Sequence, residues 1–251
     1  MNIAVSGKGG VGKTTISAGL AYLFQANGRK VLAVDADPDA NLGLALGFSP
    51  QEMSVVKPLV ELQEVISSKS AGGGVLVDLN PEIEDVLEEY SLSRGLIRLI
   101  RMGGVKQAGS ACYCKESSFL NAVLTAVLFD RPETVVLDMS AGIEHLTRGT
   151  ASGVSVMLVV TEPTQASLRT ALEVDRLADD LQIPRVIFLG NKIRNARDRA
   201  YLESALPRQK LAGLIPFSEN ILLHSQSPGS GFSLDCLLPG IESVCNQLIG
   251  G

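Results

Sequence analysis

Four short stretches hold the residues whose types and spacing suit chemistry. Residues 7–14 read GKGGVGKT and satisfy the pattern G-x-x-x-x-G-K-[ST]. Gly7, Gly9, Gly10 and Gly12 permit a tight turn that aims backbone N–H groups at phosphate oxygens. Lys13 has the reach for β- and γ-phosphates, and the Thr14 hydroxyl suits Mg²⁺. A helix opening at Lys13 adds the positive end of its dipole. Lys8 is not needed to build such a loop. An ammonium there suits stabilisation of charge on a transferring phosphoryl group, in its own subunit or across an interface.

Two acidic stretches complete a phosphate-handling set. In DADPDAN, residues 35–41, Asp35, Asp37 and Asp39 alternate, so an extended backbone turns all three the same way. Three carboxylates together repel unless a cation or water network separates them, and a Mg²⁺–nucleotide site next door supplies that. In VVLDMSAGIEH, residues 135–145, Asp138 falls at a strand end, where it would hold Mg²⁺ through water. Gly142 then lets the following loop rearrange when a γ-phosphate leaves.

The fourth stretch is SACYCKESS, with Cys112 and Cys114, two of four cysteines in the chain. In an extended segment residues i and i+2 share a side, so both sulfurs reach one metal ion. A disulfide between them closes a small, strained ring, and redox pairs more often use C-x-x-C. Two thiolates are half of a tetrahedral site. Cys236 and Cys245, nine apart, are poorly spaced to help and read as buried free thiols. The economical completion is the same pair from a second copy on a two-fold axis, an S₄ site that accepts Zn²⁺ or Ni²⁺.

The elements that must position these residues alternate between β and α. Residues 2–6, 30–35, 134–139, 155–161 and 185–191 are apolar and β-branched runs, as parallel strands buried on both faces require. Between the first two, Ile16, Leu20, Leu23 and Phe24 share a helical face and Gly28 ends the helix. This punctuation predicts an α/β fold with an open, mainly parallel sheet and helices on both faces, in one domain over residues 1–251. A segment at about 70–115, carrying the C-x-C, reads as an insertion. It holds six acids from Asp78 to Glu89 and then Arg94, Arg98 and Arg101 at helical spacing, which predicts a salt-bridged helix pair or a docking surface. Residues 118–129 are apolar on most of a helical circumference, so that helix wants cover on two sides.

Composition bounds the rest. Hydrophobic residues make up 45% of the 251 and charged residues 20%, as a globular chain with a sizeable core requires. A net charge of −5 without long basic runs argues against a nucleic-acid face. The N-terminal residues do not read as a signal peptide, and no apolar run reaches the ~20 residues that span a bilayer. No Lys or Arg follows Lys210, so a basic amphipathic membrane helix is not expected there. A cytoplasmic location is expected, where thiols stay reduced.

The stretch GKGGVGKTT, residues 7–15, resembles the deviant Walker A motif of MinD-type and ParA-type P-loop ATPases. The resemblance implies that ATP or ADP lies along Gly7, Lys8, Gly9, Gly10, Val11, Gly12, Lys13, Thr14 and Thr15, and that Lys8 reaches the partner's nucleotide in a face-to-face homodimer. It further implies that Asp37 orients or deprotonates the attacking water, and that Asn191 in LGNK and Pro216 in GLIPFSEN contact the base. Asp39 and Asn41 contact Mg²⁺-bound water or transmit the nucleotide state. With the C-x-C in its place, the pattern resembles the CooC-type carbon monoxide dehydrogenase accessory ATPases. That likeness implies a metallochaperone, dimerising with nucleotide and metal, whose client is carbon monoxide dehydrogenase and whose cargo is nickel. A regulatory or partitioning ATPase with a structural zinc is the alternative.

Overall fold

The computed structural model describes residues 1–37, 39–62, 87–103, 123–125, 127–129, 131–143, 146–225 and 238–249. Eight strands form one sheet. They are β1 (Asn2–Gly7), β2 (Val31–Ala36), β3 (Leu92–Arg94), β4 (Ile97–Arg101), β5 (Thr134–Met139), β6 (Val156–Thr161), β7 (Val186–Ile193) and β8 (Leu211–Pro216). Their spatial order is β3-β4-β2-β5-β1-β6-β7-β8, and every neighbouring pair is parallel except β3 with β4.

The continuous apolar runs explain why these strands are central. In β1, Ile3 and Val5 join one buried cluster while Ala4 joins the other; in β2, Val31 and Ala33 face one side, Leu32 and Val34 the other. A strand with both faces apolar is stable only when helices cover both. One layer is α1 (Lys13–Ala26), with Ile16, Leu20, Leu23 and Phe24, and the C-terminal α8 (Leu238–Ile249), with Ile241, Val244 and Leu248. The opposite layer includes α5 (Gln165–Asp180), with Ala171, Val174 and Ala178, and α6 (Ala196–Ala205), with Leu202. Shorter helices are α2 (Leu42–Ala45), α3 (Pro50–Val55), α4 (Arg148–Ala151) and α7 (Glu219–Ser225). No helix among the described residues is long and apolar enough to cross a membrane.

The segment around Arg94, Arg98 and Arg101 departs from the helical expectation. It is a hairpin whose second strand, β4, pairs in parallel with β2 and extends the sheet. Arg94 and Ile97 face each other across a two-residue loop opened by Gly95 at φ 59°, a left-handed conformation that glycine adopts without Cβ strain. Packing overrides charge spacing. Ile97 and Leu99 enter one core cluster and Ile100 the other. The arginines hold the neighbouring helical turns: Arg94 Nη1 donates to the Gly47 carbonyl at 2.7 Å, and Arg101 Nη1 donates to those of Met53 and Val56 at 2.9 and 3.2 Å. The acidic stretch through residue 86 and the C-x-C lie outside the described residues, as do residues 118–122. Residues 123–125 and 127–129 are helical, with Val123, Leu124, Val127 and Leu128 buried and Phe129 exposed.

Candidate functional site

The carboxyl ends of β1, β2, β5 and β7 meet at one edge, where open α/β sheets bind their ligands. The phosphate loop leaves β1 and enters α1 there. Gly12 caps α1 with φ 99°, so no side-chain oxygen caps the helix and its first N–H groups stay free for a ligand. A Cβ on Gly12 would lie 2.5 Å from Asn191 Nδ2, so a larger residue would have to displace that side chain from the loop. Gly9 and Gly10 are exposed, Val11 is buried beneath the loop, and Thr14 and Thr15 are half-buried. Lys13 is 6% exposed, and its Nζ donates to the Lys8 carbonyl at 3.3 Å. The Val11 N–H points to the same carbonyl at 3.4 Å. Both contacts are long, and both donors converge on one carbonyl of the loop. Burial lowers the Lys13 pKa, opposed by Asp138 and Asp37, whose charges therefore reach the same ammonium.

Asp35 and Asp138 face each other in the parallel register of β2 and β5, and both are 0% exposed. Asp35 Oδ2 accepts from the Leu42 N–H at 3.0 Å; its Oδ1 is buried without a partner among the described residues. Burial, then the neighbouring Asp138 charge, push the Asp35 pKa up to about 7. Asp138 Oδ1 accepts from the Ser17 hydroxyl at 3.0 Å, and the nearby Thr14 hydroxyl also favours the ionised form of this carboxyl. Burial raises the Asp138 pKa to about 6 despite those donors. Asp138 Oδ2, like Asp35 Oδ1, is buried with no partner among the described residues. A threonine hydroxyl beside a carboxylate with one unused oxygen is an oxygen-only donor set that fits Mg²⁺.

The alternation Asp35–Asp37–Asp39 does not survive as one face. The strand ends at Ala36, and the Asp39 N–H donates to Asp37 Oδ1 at 3.0 Å, closing a local turn. Asp35 is buried under the sheet edge, Asp37 is half-buried near Lys13, and Asp39 is exposed. Asn41 is exposed at the start of α2. Gly142, at the turn after β5, accepts through its carbonyl from the buried Ser6 hydroxyl at 2.6 Å, which ties that turn to β1.

Asn191, at the end of β7, is 8% exposed. Its Nδ2 donates to the Val11 carbonyl at 2.8 Å, and its Oδ1 accepts from the Lys192 N–H at 2.9 Å. Pro216 is exposed at the end of β8, paired in register with Ile193, and the next residue, Phe217, stacks under the Arg194 guanidinium at 4.5 Å. The structure thus brings together Lys13, Thr14, Asp37 and Asp138, and sets Asn191 against the phosphate loop. The Lys8 side chain makes no hydrogen bond or ion pair among the described residues.

Ser17, Glu162 and Lys192 also belong to the site, although the motifs do not mark them. Ser17 had a signal: it follows Lys13 by one helical turn, so it shares that face. Glu162 and Lys192 had none, because their partners are distant in the chain. Cys112 and Cys114 lie outside the described residues, and among the described residues no group of three or more His, Cys, Asp or Glu side chains converges. Cys245 is a free, buried thiol, as expected, with its pKa raised to about 11 by burial.

Residues 3–227 match the CobQ/CobB/MinD/ParA nucleotide-binding domain. The chain is 37% identical over 252 residues to the carbon monoxide dehydrogenase accessory protein CooC of Rhodospirillum rubrum, covering 99% of this chain and 95% of that protein. It is 36% identical over 253 residues to an uncharacterized ATP-binding protein of Methanocaldococcus jannaschii, covering 99% and 98%. Among solved structures, MinD in the MinC:MinD complex of Aquifex aeolicus superposes with a TM-score of 0.70 at 21% identity, covering 100% of this chain and 96% of that one. A ParA family ATPase of Chlorobium tepidum gives 0.69 at 20% identity, over 100% and 98%.

Proposed function

The chain belongs to the CobQ/CobB/MinD/ParA nucleotide-binding family, and from that premise we propose that it is an ATP-hydrolysing metallochaperone of the carbon monoxide dehydrogenase system. The observation that carries this reading is the 37% identity to CooC along 99% of the chain, a span that runs through both the phosphate loop and the C-x-C of this sequence.

The chain's own residues divide the work of hydrolysis. The loop N–H groups and Lys13 hold the β- and γ-phosphates. The Thr14 hydroxyl, and Asp138 through water, would hold Mg²⁺, which would neutralise charge on those phosphate oxygens. Asp37, oriented by the Asp39 N–H, takes the proton of the water that attacks the γ-phosphorus. The bond from that phosphorus to the bridging oxygen breaks, and ADP leaves with the oxygen. Lys8, uncommitted among the described residues, crosses to the partner's phosphates in a face-to-face homodimer and stabilises the charge that develops there. The same dimer brings two Cys112–Cys114 pairs together as a four-thiolate site for nickel or zinc, the cargo rather than a resident cofactor. The dimer forms with nucleotide and metal, acts in the cytoplasm, and has carbon monoxide dehydrogenase as its client. Neither a membrane nor a nucleic acid takes part.

The test is equilibrium dialysis of reduced protein against Ni²⁺ or Zn²⁺, with Mg-ATP hydrolysis followed in parallel. Wild type is expected to bind one ion per pair of chains. The Cys112→Ala/Cys114→Ala variant is expected to bind none while still binding nucleotide. Unchanged stoichiometry in the variant removes the metal claim, and absence of phosphate release from wild type removes the ATPase claim.

A further inference from the structure

Two consecutive carbonyls of the phosphate loop are held from outside by two consecutive residues of β7. The Gly10 carbonyl accepts from Lys192 Nζ at 2.5 Å, and the Val11 carbonyl accepts from Asn191 Nδ2 at 2.8 Å. These partners are 182 and 180 residues apart in the chain. We infer that Asn191 and Lys192 form a two-point clamp on the phosphate loop, and that Lys192 is a positioning residue for nucleotide phosphate. The inference rests on the nucleotide-binding reading of the loop.

The physical reason lies in the peptide plane. In a trans peptide the C=O and the following N–H point in opposite directions. Fixing the Gly10 and Val11 carbonyls toward β7 therefore fixes the N–H groups of Val11 and Gly12 toward the opposite side. That side is the cradle: the Val11 N–H and the Lys13 ammonium both converge on the Lys8 carbonyl there. Glycine-rich turns reach many conformations, so an unclamped loop would lose entropy when phosphate ordered its N–H groups. A clamp on the carbonyls meets that loss during folding and leaves the donors pre-aimed.

The clamp is itself anchored. Lys192 Nζ also pairs with Glu162 Oε2 at 3.4 Å, after β6. Glu162 is held in turn, because its N–H donates to the buried Ser167 hydroxyl at 3.1 Å, which contacts the Thr161 hydroxyl at 2.9 Å. Lys192 adopts φ 60°, a left-handed conformation unusual for a residue with a Cβ. Its N–H is held by the Asn191 side chain, and its ammonium by Gly10 and Glu162. That strain persists because the surrounding contacts determine it. Asn191 keeps a second amide N–H and a second lone pair, so a base would meet a side chain already fixed against the phosphate loop.

The experiment is titration of Mg-ADP by calorimetry, with the melting midpoint of the nucleotide-free protein measured alongside. Lys192→Met removes the ammonium and keeps the stem. Lys192→Asn removes it with a residue that tolerates positive φ, and Lys192→Arg keeps a cation. The Met and Asn variants are expected to raise the Kd for Mg-ADP about tenfold, equivalent to about 1.4 kcal/mol. The nucleotide-free midpoint should stay unchanged, and Arg should restore most of the affinity. Wild-type affinity in both Met and Asn variants overturns the clamp. So does a loss of affinity matched by an equal fall in the nucleotide-free midpoint, because the residue would then serve only stability. Failure of wild type to bind Mg-ADP overturns the nucleotide reading itself, a result distinct from either.

Discussion

Asp35→Asn is expected to stabilise the nucleotide-free, metal-free protein above neutral pH and to flatten its stability between about pH 4 and pH 8. Asp35 is 0% exposed, lies in register with Asp138 and has one oxygen without a partner. Its pKa rises from 3.8 to about 7. The folded state therefore keeps a proton that the unfolded chain has already lost across that interval, and stability falls as pH rises through it. Roughly three units at 1.36 kcal/mol each give up to about 4 kcal/mol lost by about pH 8. The raised pKa of Asp138, about 6, works in the same direction and remains in the variant. Asparagine keeps an oxygen for the Leu42 N–H and supplies an uncharged donor at the strand position beside Asp138, whose Oδ2 also lacks a partner among the described residues. The assay is urea unfolding with EDTA at about pH 4, 6 and 8. The wild-type midpoint should fall with pH and the variant's should fall less, so that the variant is the more stable at about pH 8. A flat wild-type profile, or a variant less stable than wild type at about pH 8, would refute the reading of a buried repelling pair.

Other substitutions separate the roles of neighbouring groups. Ser17→Ala removes a buried donor to Asp138 Oδ1 and should cost about 1–3 kcal/mol in urea unfolding at about pH 8. It should also raise the Asp138 pKa further, so the cost should shrink toward about pH 4; a pH-independent loss would contradict this. Lys8→Ala should leave the melting midpoint unchanged, since the side chain has no partner in its own chain among the described residues. It should also lower phosphate release at saturating Mg-ATP by about a thousandfold, the lower end of what a charge supplied in trans contributes. A normal rate would sink the trans-lysine mechanism.

Much of the sheet was legible because each inner strand is an apolar run bounded by turn residues, a local signal. The edge was not. Arg94, Arg98 and Arg101 carry helical spacing, yet Gly95 turns the chain and Ile97, Leu99 and Ile100 need two faces of a core. Charges on the surface accept either conformation; buried side chains do not. The acidic triplet failed for a related reason. Its alternation assumes that the strand continues, and the strand stops at Ala36 where an aspartate side chain takes over a backbone N–H.

Local spacing along the chain suffices for the glycine-rich turn that carries Lys8, Lys13 and Thr14, for Asp138 at a strand end and for the parallel α/β class. Each depends on residues within one turn or one strand of each other, so spacing alone specifies the geometry. The packed fold is what sets Asp35 and Asp138 in one register, brings Ser17 to Asp138, and lets Asn191 and Lys192 grip the loop from β7. Those contacts join residues 103, 121, 180 and 182 positions apart. They exist because burial aligns the strands side by side, and no local pattern along the chain encodes which strand ends will meet.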